Sequence, residues 1–170
     1  MKKLQIGNVT LDNPVILAPM AGGSDLPFRL LCREMGAALV CMEMVSAKAI
    51  YYNNKNTDSL MEIHPEEVPA SRQLFGSDSQ ILAEMAKRIE ERPFSILDLN
   101  MGCPVPKVVN NGEGSALIWS FPAMSIVLII MGAIMNRLNM MARPFMTIAG
   151  GTCCTPRALR TSDVTTTIFT

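Results

Sequence analysis

A cysteine stands where a buried strand of this sequence should end. Cys103 lies between a glycine and a proline in the stretch 98–106, DLNMGCPVP, directly after the apolar run 94–97. The single histidine of the chain, His64, falls in a polar connection, so the sequence does not indicate a Cys–His nucleophile pair. A thiol has an ordinary pKa of about 8.5 and is mostly protonated at neutral pH. Cys103 is therefore suited to donate a proton; the alternative is a small buried apolar side chain.

Other residues that do not serve packing also fall at the ends of predicted strands. They are Pro19 to Gly23, Glu43 and Met44, Gln73 to Gly76, and Asn100 to Pro104. A lone glycine or proline in such a place is ordinary loop punctuation. Four such groups, each at the carboxyl end of a predicted strand, are harder to explain as loop punctuation. The carboxyl ends of parallel strands meet at one edge of a sheet, where ligands bind. The pattern favours a ligand site at that edge.

Strands and helices alternate in the elements that must position these residues. A hairpin is predicted at 4–6 and 9–11, strands at 14–19, 38–42, 72–76 and 95–99, and helices at 25–35, 45–52, 58–63 and 78–91. We expect the first of these helices to bury Phe28, Leu31 and Cys32. The strands are apolar on both faces, which indicates a parallel sheet covered by helices and hence an α/β fold.

Composition narrows the class of protein. The 170 residues are 49% hydrophobic, enough for one globular domain, and 15 basic residues balance 15 acidic ones. No overall charge therefore attracts the chain to nucleic acid or anionic lipid. Five cysteines without framework spacing fit a reducing cytoplasm, and no secretory signal is expected at the start. We expect no metal site, because Cys153 and Cys154 form too isolated a pair, and no obligate protein partner.

The two ends of the chain differ in character. Fourteen of the fifteen carboxylates lie between Asp12 and Glu113, and residues 114–136 carry no charge. We place a domain boundary at Leu117. The uncharged run 117–135 is long enough to cross a bilayer, which leaves open a non-catalytic protein that is membrane-associated or docked through this run.

The motifs resemble those of a known family. Residues 4–117 are similar to the amino-terminal half of the bacterial tRNA-dihydrouridine synthases, which are FMN enzymes built on a TIM (β/α)8 barrel. The matching motifs are APMAGGSDLPFR (18–29), EMVSAKA (43–49), QLFGSD (73–78) and DLNMGCPVPKVVNNGEGSAL (98–117). The last motif favours this family over another FMN barrel such as a dihydroorotate dehydrogenase.

The resemblance implies a reaction and roles for particular residues. Pro19, Met20 and Ala21 would hold the flavin through backbone contacts, and Gln73 would hydrogen-bond its ring. Asn100 would face the target uracil, and Cys103 would be the general acid. The implied reaction is the NADPH-linked reduction of uridine to 5,6-dihydrouridine in tRNA, in the cytoplasm, by an oxidoreductase that binds RNA.

The resemblance does not extend along the whole chain. The family continues with a strand that carries a flavin-binding lysine, a strand that carries a histidine, and glycine-rich loops for the FMN phosphate; we find none of these motifs in residues 118–170. We interpret 1–117 as an incomplete half barrel with half of the flavin and uridine site. We interpret 118–170, apolar and then threonine-rich, as a divergent tail that arose from an altered reading frame or a rearrangement. We expect the chain to be inactive alone.

Overall fold

Parallel strands that follow one another in chain order form the centre of the fold. A computed structural model of the chain describes residues 2–119 and 139–143. After a hairpin of β1 (Leu4–Ile6) and β2 (Val9–Leu11), the sheet runs β3 (Ile16–Leu17), β4 (Leu39–Ser46), β5 (Ala70–Phe75), β6 (Ile96–Asn100) and β7 (Asn139–Arg143). Each sheet strand pairs in parallel with the next. The predicted α/β class with a parallel sheet is confirmed.

Helices connect these strands. They are α1 (Leu26–Glu34), α2 (Ala47–Tyr51), α3 (Lys55–Leu60), α4 (Ser79–Glu90), α5 (Pro106–Val109) and α6 (Ala116–Trp119), with a 3-10 turn at Pro65–Glu67. The two longest begin at aspartates, because Asp25 accepts a hydrogen bond from the Phe28 amide and Asp78 from the amides of Gln80 and Ile81. No helix within residues 2–119 and 139–143 is long and apolar enough to cross a membrane.

Most of the predicted tail cannot be compared with the structure. Residues 120–138 and 144–170 lie outside the described residues, and so does most of the uncharged run 117–135. The described parts are residues 118 and 119, which end α6, and β7, which pairs in parallel with β6 from Ile96 to Asn100. The docking role of the uncharged run therefore stays a prediction.

The orientation of α1 differs from the prediction. The expectation that this helix buries Phe28 and Leu31 is wrong, since these residues are 38% and 51% exposed. Arg29 is buried instead, where its guanidinium pairs with the buried carboxylate of Glu67. An ion pair has fixed which face of the helix turns inward. Cys32, on that inner side, packs against the cluster that contains Val40.

Apart from the buried Arg72, the sheet is apolar on its helix side. Leu74, Leu97 and Leu99 pack there against the buried stripe of α4. On the opposite face the amino ends of the strands are closed by the hairpin, where Leu11 packs in one cluster with Leu39 and Ile96. The carboxyl end of that same face is polar.

A bulge interrupts β4 where the sequence predicted the strand to end. Cys41 pairs with Ser71, but the next pairing joins Met44 to Gln73, so three residues of β4 oppose two of β5. The sequence predicts Glu43 and Met44 to come after this strand. In the structure they lie inside it. The bulge sets Met44 beside Gln73 at the carboxyl edge.

Three arginines hold the chain that follows α3. Their guanidinium groups donate to three consecutive backbone carbonyls, Arg72 to Leu60, Arg92 to Met61 and Arg29 to Glu62. The carbonyls at the end of a helix lack partners within the helix, and cations are favourable beside them. Burial, together with the nearby Arg29 cation, lowers the pKa of Arg72 to about 9. The connection from α3 to β5 is therefore fixed by side chains of α1, of β5 and of the residues just after α4.

Candidate functional site

Cys103 lies in a tight turn at the carboxyl end of β6. The side chain is half-buried. Its backbone N–H donates to Oδ1 of Asn100 over 3.0 Å, and the N–H of Gly102 donates to the same oxygen over 3.1 Å. An asparagine side chain that accepts from the residues after it makes the chain turn back on itself. The turn fixes where the thiol stands relative to the end of the strand.

A second segment, eleven and twelve residues after Cys103, contacts this turn. The N–H of Ser115 donates to the Cys103 carbonyl over 3.0 Å. Gly114 precedes it with φ of +60°, and a Cβ placed there would lie 2.6 Å from that carbonyl oxygen. Only a glycine allows this close approach. The cysteine turn is thus held from both sides.

A chain of side-chain hydrogen bonds leads from this turn into the sheet. Nδ2 of Asn100 donates to Oε1 of Gln73 over 2.8 Å, and Nε2 of Gln73 donates to Oδ2 of Asp98 over 2.7 Å. Nδ2 of Asn100 also lies 3.5 Å from the sulfur of Met44. Gln73 and Asp98 are buried, at 4% and 0% exposure, so the hydrogen bond between them is shielded from water, whereas the bonds of Asn100 are partly buried.

The loop after β3 is organised around Met20. The Met20 N–H donates to the hydroxyl of buried Ser24 over 2.9 Å, and the Met20 carbonyl accepts from the amides of Gly23 and Ser24 and from the Ser24 hydroxyl. The Gly22 N–H donates to Glu43 of β4 over 3.1 Å. The loop is thereby tied to the neighbouring strand.

The predicted site residues fall into two groups in the structure. Gln73, Asn100 and Cys103 are joined by direct hydrogen bonds. Pro19, Met20 and Ala21 lie at the same edge, with Met20 and Ala21 exposed, and their loop connects to β4 through Glu43. Their roles stay predictions. Asp98 was not singled out from the sequence. It could have been found because it is a carboxylate inside an apolar strand, and a buried charge needs a partner.

Glu113, beside this turn, is a buried acid. Burial raises the pKa of its carboxyl above the usual 4.5, and the Lys48 cation partly opposes that rise. The folded chain therefore binds a proton more tightly than the unfolded chain at this group. The stability contribution of Glu113 is full below pH 4.5 and is lost as the pH rises through the folded pKa.

We therefore expect Glu113→Gln to gain stability over the unmodified chain as the pH rises. The difference between their urea midpoints should be smallest near pH 4 and larger at pH 7, because glutamine carries no charge to desolvate. Urea unfolding followed by circular dichroism at the two pH values measures it. Exposed Glu84→Gln is the control, and a difference that shrinks with rising pH would contradict the expectation.

Comparison with known proteins gives the site a family context. The sequence profile described as Dihydrouridine synthase (Dus) matches residues 16–135. The chain belongs to the dihydrouridine synthase family. It is 46% identical over 119 residues to the tRNA-dihydrouridine synthase B of Pseudomonas putida. The aligned residues are 69% of this chain and 35% of the relative. The corresponding protein of Pseudomonas aeruginosa is 45% identical over 118 residues, 69% of this chain and 36% of the relative.

The family match extends beyond the boundary predicted from the sequence. The profile runs to residue 135, past Leu117. The tRNA-dihydrouridine synthase B of Vibrio cholerae is 38% identical over 136 residues, 80% of this chain and 41% of the relative. Membership in the dihydrouridine synthase family is thus shown by matches to most of this chain, while the chain spans little more than a third of the length of these relatives.

Proposed function

We propose that this chain carries the cysteine half-site of a tRNA-dihydrouridine synthase, on the amino-terminal half of a TIM barrel. The observation that carries the proposal is the hydrogen-bonded connection of Gln73, Asn100 and Cys103 at the carboxyl edge of a parallel sheet. The order of the strands, each beside the next, is that of a barrel. The site lies where the loops of such a barrel converge.

Cys103 is proposed as the general acid of a uridine reduction. Reduced FMN, regenerated by NADPH, would supply a hydride to C6 of the uracil when bound. The Cys103 thiol then gives its proton to C5, which completes addition of two hydrogens across the C5–C6 bond and leaves a thiolate to be reprotonated from water. The turn held by Asn100 and Ser115 keeps the thiol in one place for this transfer.

The residues present fit one part of a flavin site. Each group of an amide side chain can make two hydrogen bonds, and Gln73 uses one N–H toward Asp98 and one carbonyl lone pair toward Asn100. A second N–H and a second lone pair of Gln73 are left for the polar edge of an isoalloxazine ring. Ala21 is exposed at the same edge, where its backbone would contact the ring.

The substrate that we propose is a uridine of tRNA. A base inside a stacked helix cannot reach a half-buried thiol, so the nucleotide would have to leave its stack, as for other enzymes that act on bases. Asn100 would then contact the uracil from the end of β6. We further propose that the chain is inactive alone, since residues 118–170 carry none of the family's lysine, histidine and phosphate-loop motifs.

A chimera tests the half-site. Residues 16–117 replace the matching segment of the Pseudomonas putida tRNA-dihydrouridine synthase B, and dihydrouridine formed in unmodified tRNA is measured with NADPH. We expect the chimera to bind FMN and to be active. Cys103→Ala in the chimera should lower the rate by about 10²- to 10⁴-fold, the usual contribution of a general acid.

The matched control is Cys32→Ala, which removes a half-buried thiol of α1. It should leave the rate within a small factor of the chimera. Equal rates for the Cys103→Ala chimera and its parent would refute the role of Cys103. A purified chain of 170 residues that is yellow and forms dihydrouridine would refute the claim that it is inactive alone.

A further inference from the structure

Two amide side chains, buried Gln73 and half-buried Asn100, lie between groups that can each make only one kind of hydrogen bond. At one end is the carboxylate of Asp98, which, when ionised, only accepts. At the other end are the backbone N–H groups of Gly102 and Cys103, which only donate. Gln73 and Asn100 stand between them, and an amide can present either its oxygen or its nitrogen in a given direction.

We propose that Asp98 is a positioning residue that fixes the orientation of both amides and, through them, the turn of Cys103. The acceptor at Asp98 requires the nitrogen of Gln73 on its side, at 2.7 Å. The Gln73 oxygen then faces Asn100 and requires the nitrogen of Asn100, at 2.8 Å. The Asn100 oxygen is thereby turned to the two backbone N–H groups, at 3.1 and 3.0 Å.

The reversed arrangement fails at both ends of this connection. If Gln73 were turned over, its oxygen would face the carboxylate oxygen of Asp98, and two acceptors would meet in a buried place. Asn100 would then have to present its oxygen to the Gln73 nitrogen, and its own nitrogen would face the Gly102 and Cys103 amides. The middle contact would keep a hydrogen bond, but the contact of Gln73 with Asp98 and that of Asn100 with the two backbone N–H groups would lose theirs, which is unfavourable at both ends.

The orientation also determines what Asn100 can offer a ligand. Its oxygen already accepts two hydrogen bonds, so its capacity to accept is used. Its nitrogen holds one hydrogen toward Gln73, and the other is directed to the sulfur of Met44 at 3.5 Å, a weak contact. Asn100 can thus donate to a carbonyl oxygen of a ligand. That this carbonyl belongs to uracil rests on the proposed function.

The experiment measures hydrogen exchange by NMR on the full 170-residue chain, without FMN, NADPH or tRNA. Asp98→Leu removes the acceptor, and the backbone amide of Cys103 should then exchange about tenfold faster or more, as expected when its hydrogen bond is lost. Asp98→Asn keeps an acceptor oxygen and should restore most of the protection. The side-chain NH2 signals of Gln73 and Asn100 should shift in the leucine variant and return in the asparagine variant.

A second variant tests whether Asp98 acts through its hydrogen bond or only through the space that its side chain fills. Gln73→Glu combined with Asp98→Asn exchanges the carboxylate and the amide at constant net charge. The new carboxylate would accept from the amides on both sides, so Asn100 should keep its orientation and Cys103 its protection. The matched control is Ser71→Ala, on the same face of β5, whose buried hydroxyl has no hydrogen-bond partner in the described part of the chain.

The results that would overturn the proposal are definite. They are unchanged Cys103 exchange in a folded Asp98→Leu chain, equal acceleration in Asp98→Asn, or equal acceleration in Ser71→Ala. If Asp98→Leu does not fold, the test uses the unmodified chain. The exchange rates of the side-chain NH2 hydrogens of Gln73 and Asn100 are then compared with those of exposed Asn111. Equal rates would exclude the hydrogen bonds from Asp98 through Gln73 to Asn100. Since no cofactor or substrate is used, this outcome is independent of the chimera's activity.

Discussion

Glu67→Ala is expected to destabilise the fold by about 3 to 5 kcal/mol, the usual effect of breaking a buried ion pair from one side. The Glu67 carboxylate is fully buried and pairs with Arg29, whose side chain is 6% exposed. It also accepts the His64 N–H over 2.9 Å. Removal of the carboxylate would leave the Arg29 cation buried with only backbone carbonyls as partners. Urea unfolding followed by circular dichroism measures the change.

The control is an ion pair at the surface. Lys3 and Asp12 approach to 3.6 Å with side chains that are 71% and 88% exposed, so Asp12→Ala should change stability by about 1 kcal/mol or less. A second comparison replaces both buried partners, Arg29→Met with Glu67→Leu. That double variant should be more stable than Glu67→Ala alone, because no unpaired charge remains. If Glu67→Ala unfolded no more easily than Asp12→Ala, the buried pair would not support the fold.

Gly114→Ala is expected to destabilise the chain by about 2 to 5 kcal/mol, through two effects that add. A side chain at φ of +60° costs about 1 to 2 kcal/mol. Overpacking costs about 1 to 3 kcal/mol more, because the new methyl group would lie 2.6 Å from the Cys103 carbonyl oxygen and 2.9 Å from Val108. The free energy of unfolding in urea measures the sum.

Gly112→Ala separates the two effects within the same loop. Gly112 has φ of +72°, but a Cβ there would meet its nearest neighbour, Ser77, at an ordinary 3.7 Å. It should therefore show only the backbone effect, about 1 to 2 kcal/mol. Equal losses for the two alanines would mean that contact with the Cys103 carbonyl adds nothing.

The alternation of apolar strands and amphipathic helices was enough to predict the parallel sheet and α4. The predicted helix at 78–91 has its cap at Asp78 and its stripe against Leu74 and Leu97, because its apolar spacing is regular. The side of α1 that is buried could not be predicted in this way. Arg29 is on the buried side because it pairs with Glu67, which lies 38 residues later in the chain. The sequence around α1 carries no pattern that indicates such a distant pairing.

The site shows the same division between local and distant information. Cys103 and Asn100 were identified because glycine and prolines mark the end of an apolar strand, and the Asn100 turn is itself local. The connection to Gln73 joins residues 27 positions apart in the sequence, on neighbouring strands. It depends on the strand register, which the bulge in β4 and the pairing of β5 with β6 determine.

The position of the hairpin of β1 and β2 indicates how the protein can be immobilised with its candidate site accessible. It closes the amino ends of the strands through Leu11, whereas Cys103 stands at the opposite ends. An affinity tag placed before Lys2 would therefore attach the chain to a solid support by its closed side. The open edge would point toward the solution, so that immobilised protein could meet a molecule as large as a folded RNA without obstruction from the support.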